Sequence, residues 1–139
     1  MASWMTASDG AVNGVFGWSV AVSGDTAVAG APYATVGSNY LQGAAYVFVK
    51  PSSGWATTSA FDAKLTASDG PAGDLLGYSV AVSGDTVVSG APSATAGFNF
   101  RQGAAYVFGP CPTATTPGRH PCIEPIEPAP PVPVKGRGP

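Results

Sequence analysis

The residues of this 139-residue chain that could do chemistry are few and widely spaced. Asp25 and Asp85 each close a Ser-Gly-Asp turn, and carboxylate oxygens at alternating loop positions are ligands that Ca²⁺ prefers. One carboxylate in so short a turn cannot supply six or more ligands, so each is expected to accept hydrogen bonds from local backbone N–H groups. Asp69 and Asp74 are a second pair of carboxylates that could bind a cation. We expect no metal site and no cofactor.

Catalytic groups are also scarce. The single histidine, His120, lies among prolines, where a general base would not be held in fixed geometry. The chain has no Gly-x-Ser-x-Gly elbow and no phosphate-binding Walker loop. The sequence therefore predicts a protein that is not an enzyme, although a hydrolase using turn carboxylates stays an alternative.

Charge and hydropathy exclude several partners. The net charge is −2, and residues 1–109 contain only Lys50, Lys64 and Arg101 as basic residues. This is too little positive charge for nucleic acid or an anionic membrane surface. No apolar run is long enough to span a bilayer, and residues 1–10 lack the basic and apolar regions of a signal peptide.

The elements that would position these groups come from an internal repeat. Residues 1–50 align with residues 61–110 at a constant offset, and 29 of the 50 aligned pairs are identical. The duplication divides the chain into units 1–60 and 61–109. It also shows that Asp74 is not a repeated feature, because Gly14 stands at the matching position.

Short β-branched runs broken by Gly and Pro predict an all-β fold. The predicted strands are 17–23, 26–31, 43–50 and 56–66, then 77–83, 86–91 and 103–108. The third strand is apolar on both faces, so both faces should be covered by neighbouring sheets. Gly30 and Gly90 are expected to mark a close approach of two backbones or a bend.

The last part of the chain, 110–139, holds ten of the 14 prolines. Such a composition cannot bury enough apolar surface to offset its ordering entropy, which predicts a disordered tail or polyproline-like linker. The spacing of Cys111 and Cys122 in this tail permits a local disulfide, with free thiols as the alternative. The pair is too small for a complete zinc site.

Two segments of each unit carry a family resemblance. Phe16-Gly17 followed by Gly30-Ala31-Pro32 resembles the FG-GAP repeat of integrin α heads and of many secreted bacterial proteins, and the bacterial variants resemble it most. The second unit repeats the motif as Leu76-Gly77 and Gly90-Ala91-Pro92, with Leu in place of Phe. In the first unit the motif residues Phe16, Gly17, Gly30, Ala31 and Pro32 are expected to be structural, as are Leu76, Gly77, Gly90, Ala91 and Pro92 in the second.

The resemblance implies β-propeller-type blades of four antiparallel strands each, which here form an incomplete ring. It also implies an extracellular or cell-surface location and a disulfide rather than free thiols at Cys111 and Cys122. Integrin-type blades often carry a calcium loop between their first two strands, but here only Ser-Gly-Asp connects them.

Ligands of this family usually engage the loops between strands two and three and between blades. The residues of these loops that the resemblance marks as ligand-binding are Tyr33, Asn39, Tyr40, Phe98, Asn99, Phe100 and Arg101. The alternative is that Tyr40 and Phe100 pack under their own loops. The leading hypothesis is a non-catalytic module that binds a protein or a glycan, and the alternative is a structural scaffold without a ligand.

The repeat boundary falls within a predicted sheet, which leaves one sheet edge without a partner strand. Residues 3–6 align with the fourth strand of the first unit, and the second unit has no fourth strand of its own. The strand at 103–108 should therefore have an open apolar edge that favours homo-oligomers, with residues 3–6 of one copy added to the next. The alternatives are an unstable fragment or pairing of the two segments within one chain.

Overall fold

The computed structural model describes residues 2–67 and 71–109. The predictions for Asp69, for the cysteine pair and for the Pro-rich tail lie outside these residues. Within the described ranges the chain contains no helix, and hence none that is long and apolar enough to cross a membrane. The strands are β1 (Ser19–Ser23), β2 (Thr26–Ala31), β3 (Ala44–Val49), β4 (Ala63–Leu65), β5 (Ser79–Ser83), β6 (Thr86–Ala91) and β7 (Ala104–Phe108).

These strands form two antiparallel sheets. The first sheet has the order β1-β2-β3-β4 and the second has the order β5-β6-β7. Ser19 pairs with Gly30 and Ser79 with Gly90, so the two sheets share one register. The prediction of an all-β fold built from antiparallel sheets is confirmed, and the first sheet crosses the boundary between the two units because β4 lies in residues 63–65. The described residues do not close into a ring.

The hairpins follow from the Ser-Gly-Asp turns. Ser23 pairs with Thr26, and Ser83 with Thr86, which leaves two residues in each turn. Gly24 and Gly84 both have a φ of 57°, in the left-handed region that glycine adopts without steric cost. This turn fixes the register of each hairpin and with it the face on which every side chain lies.

The third strand of the first sheet lies at the centre of the core, as its two apolar faces predict. Ala45 and Val47 pack in the cluster between the sheets, and Tyr46 and Phe48 pack in a second cluster on the opposite face. The prediction that sheets cover both faces is wrong for this second face. It is covered by side chains from the N-terminal segment and the connections, namely Met5, Ala7, Phe16, Ala34, Val36 and Phe61.

The two sheets approach each other closely where they carry glycine. A Cβ on Gly30 would collide with the carbonyl oxygen of Gly77, and one on Gly43 would collide with the backbone of Leu76. The Ser19 hydroxyl donates a hydrogen bond of 2.8 Å to the same Gly77 oxygen. The predicted close approach at Gly30 is therefore confirmed, and small residues permit it.

The fourth strand is shorter than the predicted 56–66 because part of that segment pairs elsewhere. The N–H of Thr6 donates to the Thr58 oxygen, and the N–H of Thr58 donates to the Trp4 oxygen, both at 3.1 Å. The N-terminal segment thus runs parallel to residues 57–59 rather than pairing with β7 inside the chain. Among the described residues, β7 pairs only with β6.

The packing between the sheets can be tested at Leu76, which is fully buried in the shared cluster. Leu76→Ala should lower the free energy of unfolding by about 2–5 kcal/mol, because it leaves a cavity where both sheets meet. Val20→Ala is the matched control, since Val20 is exposed, and should change it by less than about 0.5 kcal/mol. Urea unfolding at low protein concentration measures both, and equal effects would contradict this packing.

Candidate functional site

The long connections leave the two sheets at one end, which we call the loop end. Since β1 starts where β2 ends, segments 32–43 and 92–103 both emerge there. Residues 66–67 and 71–78 lie there too, because the former follow the end of β4, beside Ala45, and the latter precede the start of β5. Residues 8–18 enter β1 from the same end. The predicted ligand-binding residues therefore share one end of the molecule.

The predicted aromatic residues differ in exposure. Tyr40 is 67% exposed and Phe100 is 78% exposed, so neither packs under its own loop. Phe98 is fully exposed, whereas Tyr33 is only half-buried. Exposed aromatic side chains at a loop surface are typical anchors for partners, because they offer a large contact area with few rotatable bonds.

The polar residues of the set hold these loops. The Asn39 N–H donates to the Val36 oxygen at 2.8 Å, and its side-chain amide donates to Gln42 Oε1 at 2.9 Å. The Asn99 N–H bonds the Ala96 oxygen at 2.9 Å in the second unit. The backbone closes the same kind of turn in both units, and the Asn39 side chain also bonds within its own loop.

Arg101 is held beside Phe100. Its Nη2 donates to the Ser93 hydroxyl at 3.1 Å, and its guanidinium lies 5.8 Å from the centroid of the Phe100 ring. Its φ of 54° is uncommon for a residue with a side chain, and the loop keeps it through an N–H bond to Thr95 Oγ1 at 3.3 Å. Arginine and phenylalanine therefore form one exposed feature of the second unit.

Two aromatic residues that the sequence reasoning missed connect the units. The ring of Trp18 lies 5.9 Å from that of Tyr33 and 5.4 Å from that of Tyr78. Trp18 and Tyr78 occupy the same repeat position, just before β1 and β5, and both are exposed. An aromatic residue at one matched position of both units was the signal that could have identified them.

A pocket of about 220 Å³ opens at the loop end of the first unit. Tyr33 and Tyr40 line it together with Asp9, Lys64 and Tyr46. Lys64 Nζ lies 2.6 Å from Asp9 Oδ2, and the Tyr46 hydroxyl donates to Asp9 Oδ1 at 2.9 Å. The Lys64 ammonium also lies 5.5 Å from the centroid of the Tyr46 ring.

The contacts among Asp9, Lys64 and Tyr46 shift the pKa values of Asp9 and Tyr46. Burial alone would raise the pKa of Asp9, but hydrogen bonds from Lys64 and Tyr46 and the charge of Lys64 hold it below its ordinary value. Burial and the neighbouring carboxylate raise the pKa of the Tyr46 hydroxyl far above its ordinary range. Asp9 is therefore a carboxylate with two donors, suited to holding the loop or a ligand rather than to proton transfer.

The opposite end shows a different arrangement from the one expected for Asp25. Its carboxylate forms an ion pair of 3.1 Å with Lys50, and both side chains are exposed. In the part of the chain that the structure describes, no three His, Cys, Asp or Glu side chains come together as metal ligands would. The turn thus supplies a single carboxylate, which is paired with a lysine that follows β3.

A comparison with known protein families agrees with this repeated arrangement of strands and connections. The model of the FG-GAP repeat family matches residues 2–48 and 60–108, most of the chain. The chain belongs to the FG-GAP repeat family. No match was found among curated proteins.

Two glycines of the FG-GAP motif bond to each other within each blade, the first blade being the sheet β1–β4 and the second the sheet β5–β7. The Gly17 N–H donates to the Gly30 oxygen at 2.9 Å, and the Gly77 N–H donates to the Gly90 oxygen at 3.2 Å. Pro32 and Leu76 are fully buried. The two halves of the motif therefore join the start of the first strand to the end of the second, at the base of the loop end.

The polar cluster of the pocket can be tested by NMR titration of Asp9. Lys64→Met should move the pKa of Asp9 up toward its ordinary value of 3.8, because the variant removes a hydrogen bond and a positive charge. Lys50→Met removes the other ion pair and is the control, so it should leave the Asp9 titration unchanged. An unchanged pKa in Lys64→Met would contradict the contact.

The same cluster makes stability depend on pH with a defined sign. Because the folded-state pKa of Asp9 is lowered, its contribution is present above about pH 4 and is lost as pH falls through the folded pKa. Asp9→Asn should therefore lower the free energy of unfolding at neutral pH and have a smaller effect in acid. Urea unfolding at several pH values measures this, and a penalty that grows toward low pH would refute the assignment.

Proposed function

We propose that this chain is a non-catalytic FG-GAP module that binds a protein or a glycan through its loop end. The observation that carries the proposal is the concentration of exposed aromatic side chains at that end. Trp18, Tyr40, Tyr78, Phe98 and Phe100 are all exposed there. Interfaces are enriched in aromatic residues and arginine, and Arg101 stands beside Phe100.

The first blade adds a concave feature to this surface. Tyr33 and Tyr40 line the pocket that contains the ion pair of Asp9 and Lys64. Apolar walls with a few convergent polar groups are typical of ligand sites, since the polar groups fix the orientation of the ligand. The pocket would take a small polar group, such as one sugar residue or one side chain of a protein partner.

A scaffold without its own ligand is the alternative function. It is favoured by Asn39, whose backbone and side-chain hydrogen bonds both stay within its own loop. It gives no reason for several large apolar side chains to be exposed at one end, so we prefer the binding function. An extracellular or cell-surface location is part of this proposal, because FG-GAP repeats often occur in extracellular proteins.

The proposal is tested by binding assays on immobilised oligosaccharides and on immobilised extracellular-matrix proteins. Tyr40→Ala and Phe100→Ala should each weaken binding roughly ten-fold or more, as expected when an interface anchor is truncated. Retention on one of the two panels identifies the class of ligand.

The control for these assays is Asp85→Asn, which lies in a turn at the opposite end of the second blade. It should bind as the wild-type chain does. Failure of the wild-type chain to bind either panel, or equal binding by wild type, loop variants and control, would favour the scaffold. Turnover of any oligosaccharide by the purified chain would overturn the non-catalytic assignment.

A further inference from the structure

Each blade has two faces, and one face of each blade packs against the other blade. We call the face of the second blade that contacts the first its leading face, and the contacted face of the first blade its trailing face. On the leading face, Val80, Val82 and Phe108 belong to the cluster between the blades. On the trailing face, Ala45 and Val47 belong to the same cluster and are buried.

The repeat places the same residues on the two outward faces. Val20 and Val22, the counterparts of Val80 and Val82, are 71% and 66% exposed on the leading face of the first blade. Val107, the counterpart of Val47, is 52% exposed on the trailing face of the second blade, and Ala105 beside it is also exposed. The valine part of this contact is thus made once inside the chain and left exposed at both outer faces, whereas Tyr46 and Phe48 on the leading face of the first blade are already buried.

The glycines are a second, independent indication that the outer faces could make the same contact. Gly30, on the trailing face of the first blade, meets the backbone of Gly77. Its counterpart Gly90 meets only the side chain of Ser79, a residue of its own sheet. A Cβ on Gly17, the counterpart of Gly77, would meet no atom within 4 Å. The geometry that requires glycine is therefore satisfied between the blades and left open at the outer faces.

The open leading face is a cleft rather than a flat surface. Its volume is about 870 Å³ and its lining is mostly apolar. Its walls include Val20 and Val22 from β1, Phe16 and Phe48 from the core side, and Trp4 and Trp55 at the rim. Exposed apolar surface of this extent marks a site of interaction with another molecule.

We propose that the occupant of this cleft is the second blade of another copy of this chain, docked by its trailing face. The contact would repeat the internal one. Ser19 donates to the Gly77 oxygen inside the chain, so Ser79 of one copy would donate to the Gly17 oxygen of the next. Ser23 accepts from the Gly84 N–H inside the chain, so Ser83 would accept from the Gly24 N–H of the next.

Docking in this pose also gives the open edge of β7 a partner. In the first blade, β3 pairs with β4, with Tyr46 opposite Lys64. Thr58 bonds the Trp4 oxygen and the Thr6 N–H, so the Met5 backbone points to the opposite edge of this segment. The repeat places Tyr106 of the docked copy opposite Trp4 at that opposite edge. β7 of the docked copy adds there without displacing Thr58, and its own open edge becomes paired.

The contact is head-to-tail, so it continues from copy to copy until it closes. Propellers usually have about 4–8 blades, and two blades per copy would close with roughly two to four copies. Sedimentation velocity of the full chain over a range of concentrations should therefore show one discrete closed species, with an integral number of copies, in equilibrium with the monomer.

Two single-face variants test the direction of the contact. Val22→Asp places a charge on the leading face, and Val107→Asp places one on the trailing face. Each alone should associate at least about ten-fold more weakly than wild type, because a charge must then be buried. An equimolar mixture should form a dimer that does not grow, since one good leading face still meets one good trailing face.

Gly90→Ala and Gly30→Ala form a matched pair. Gly90→Ala should leave the unfolding transition of the monomer nearly unchanged and abolish association, because its methyl group meets another backbone only in the docked pose. Gly30→Ala should destabilise the monomer itself. A wild-type chain that stays monomeric at all concentrations would overturn the proposal. So would full association of Gly90→Ala, or a mixture of the two Asp variants that stays monomeric.

Discussion

The structure depends on the close approach of two backbones between adjacent sheets. Gly30 faces the carbonyl of Gly77 and Gly43 faces the backbone of Leu76, at distances that leave no room for a Cβ. Because the strands nearest this contact carry mostly Val, Ala, Ser and Gly, the sheets approach without a thick side-chain layer. Larger side chains such as Tyr106 and Phe108 fill the wider part of the interface.

This spacing also determines what the loop end can do. The FG-GAP motif joins the start of the first strand to the end of the second at the same place where the sheets meet. The connections therefore emerge side by side from two adjacent blades, and Trp18 of one blade reaches Tyr78 of the other. A rigid base under exposed connections is a common way to present binding residues.

Local patterns predicted much of this fold. The strands at 26–31 and 86–91 were predicted with their observed bounds, because the Ser-Gly-Asp turn and the Gly-Ala-Pro segment mark both ends. Gly30 was predicted as a point of close approach for a reason that the structure confirms. These features depend on residues close together in sequence, where turn chemistry and alternation carry the information.

The features of the fold that local patterns did not predict depend on contacts between residues far apart in the chain. The parallel pairing of Thr58 with the N-terminal segment shortens β4, and no local pattern distinguishes that pairing from an extended strand. Asp9 and Lys64 are 55 residues apart, so their ion pair could not be recognised before the sheets were placed. The placement of Tyr40 and Phe100 at one end followed from the family resemblance, but their exposure required the packed structure.

The central claim is that one kind of face contact operates inside the chain and between copies. Amide NMR spectra of the wild-type chain, recorded over a dilution series, test it most directly. We expect concentration-dependent shifts at the two outer faces and constant signals for the buried contact between the blades. The outer-face amides are those of Gly17, Val20, Gly24, Ser79, Gly90 and Ala105, and the internal reference amides are those of Val28, Ala45 and Val80. Shifts confined to residues 98–101, or spectra that do not change with concentration, would contradict it.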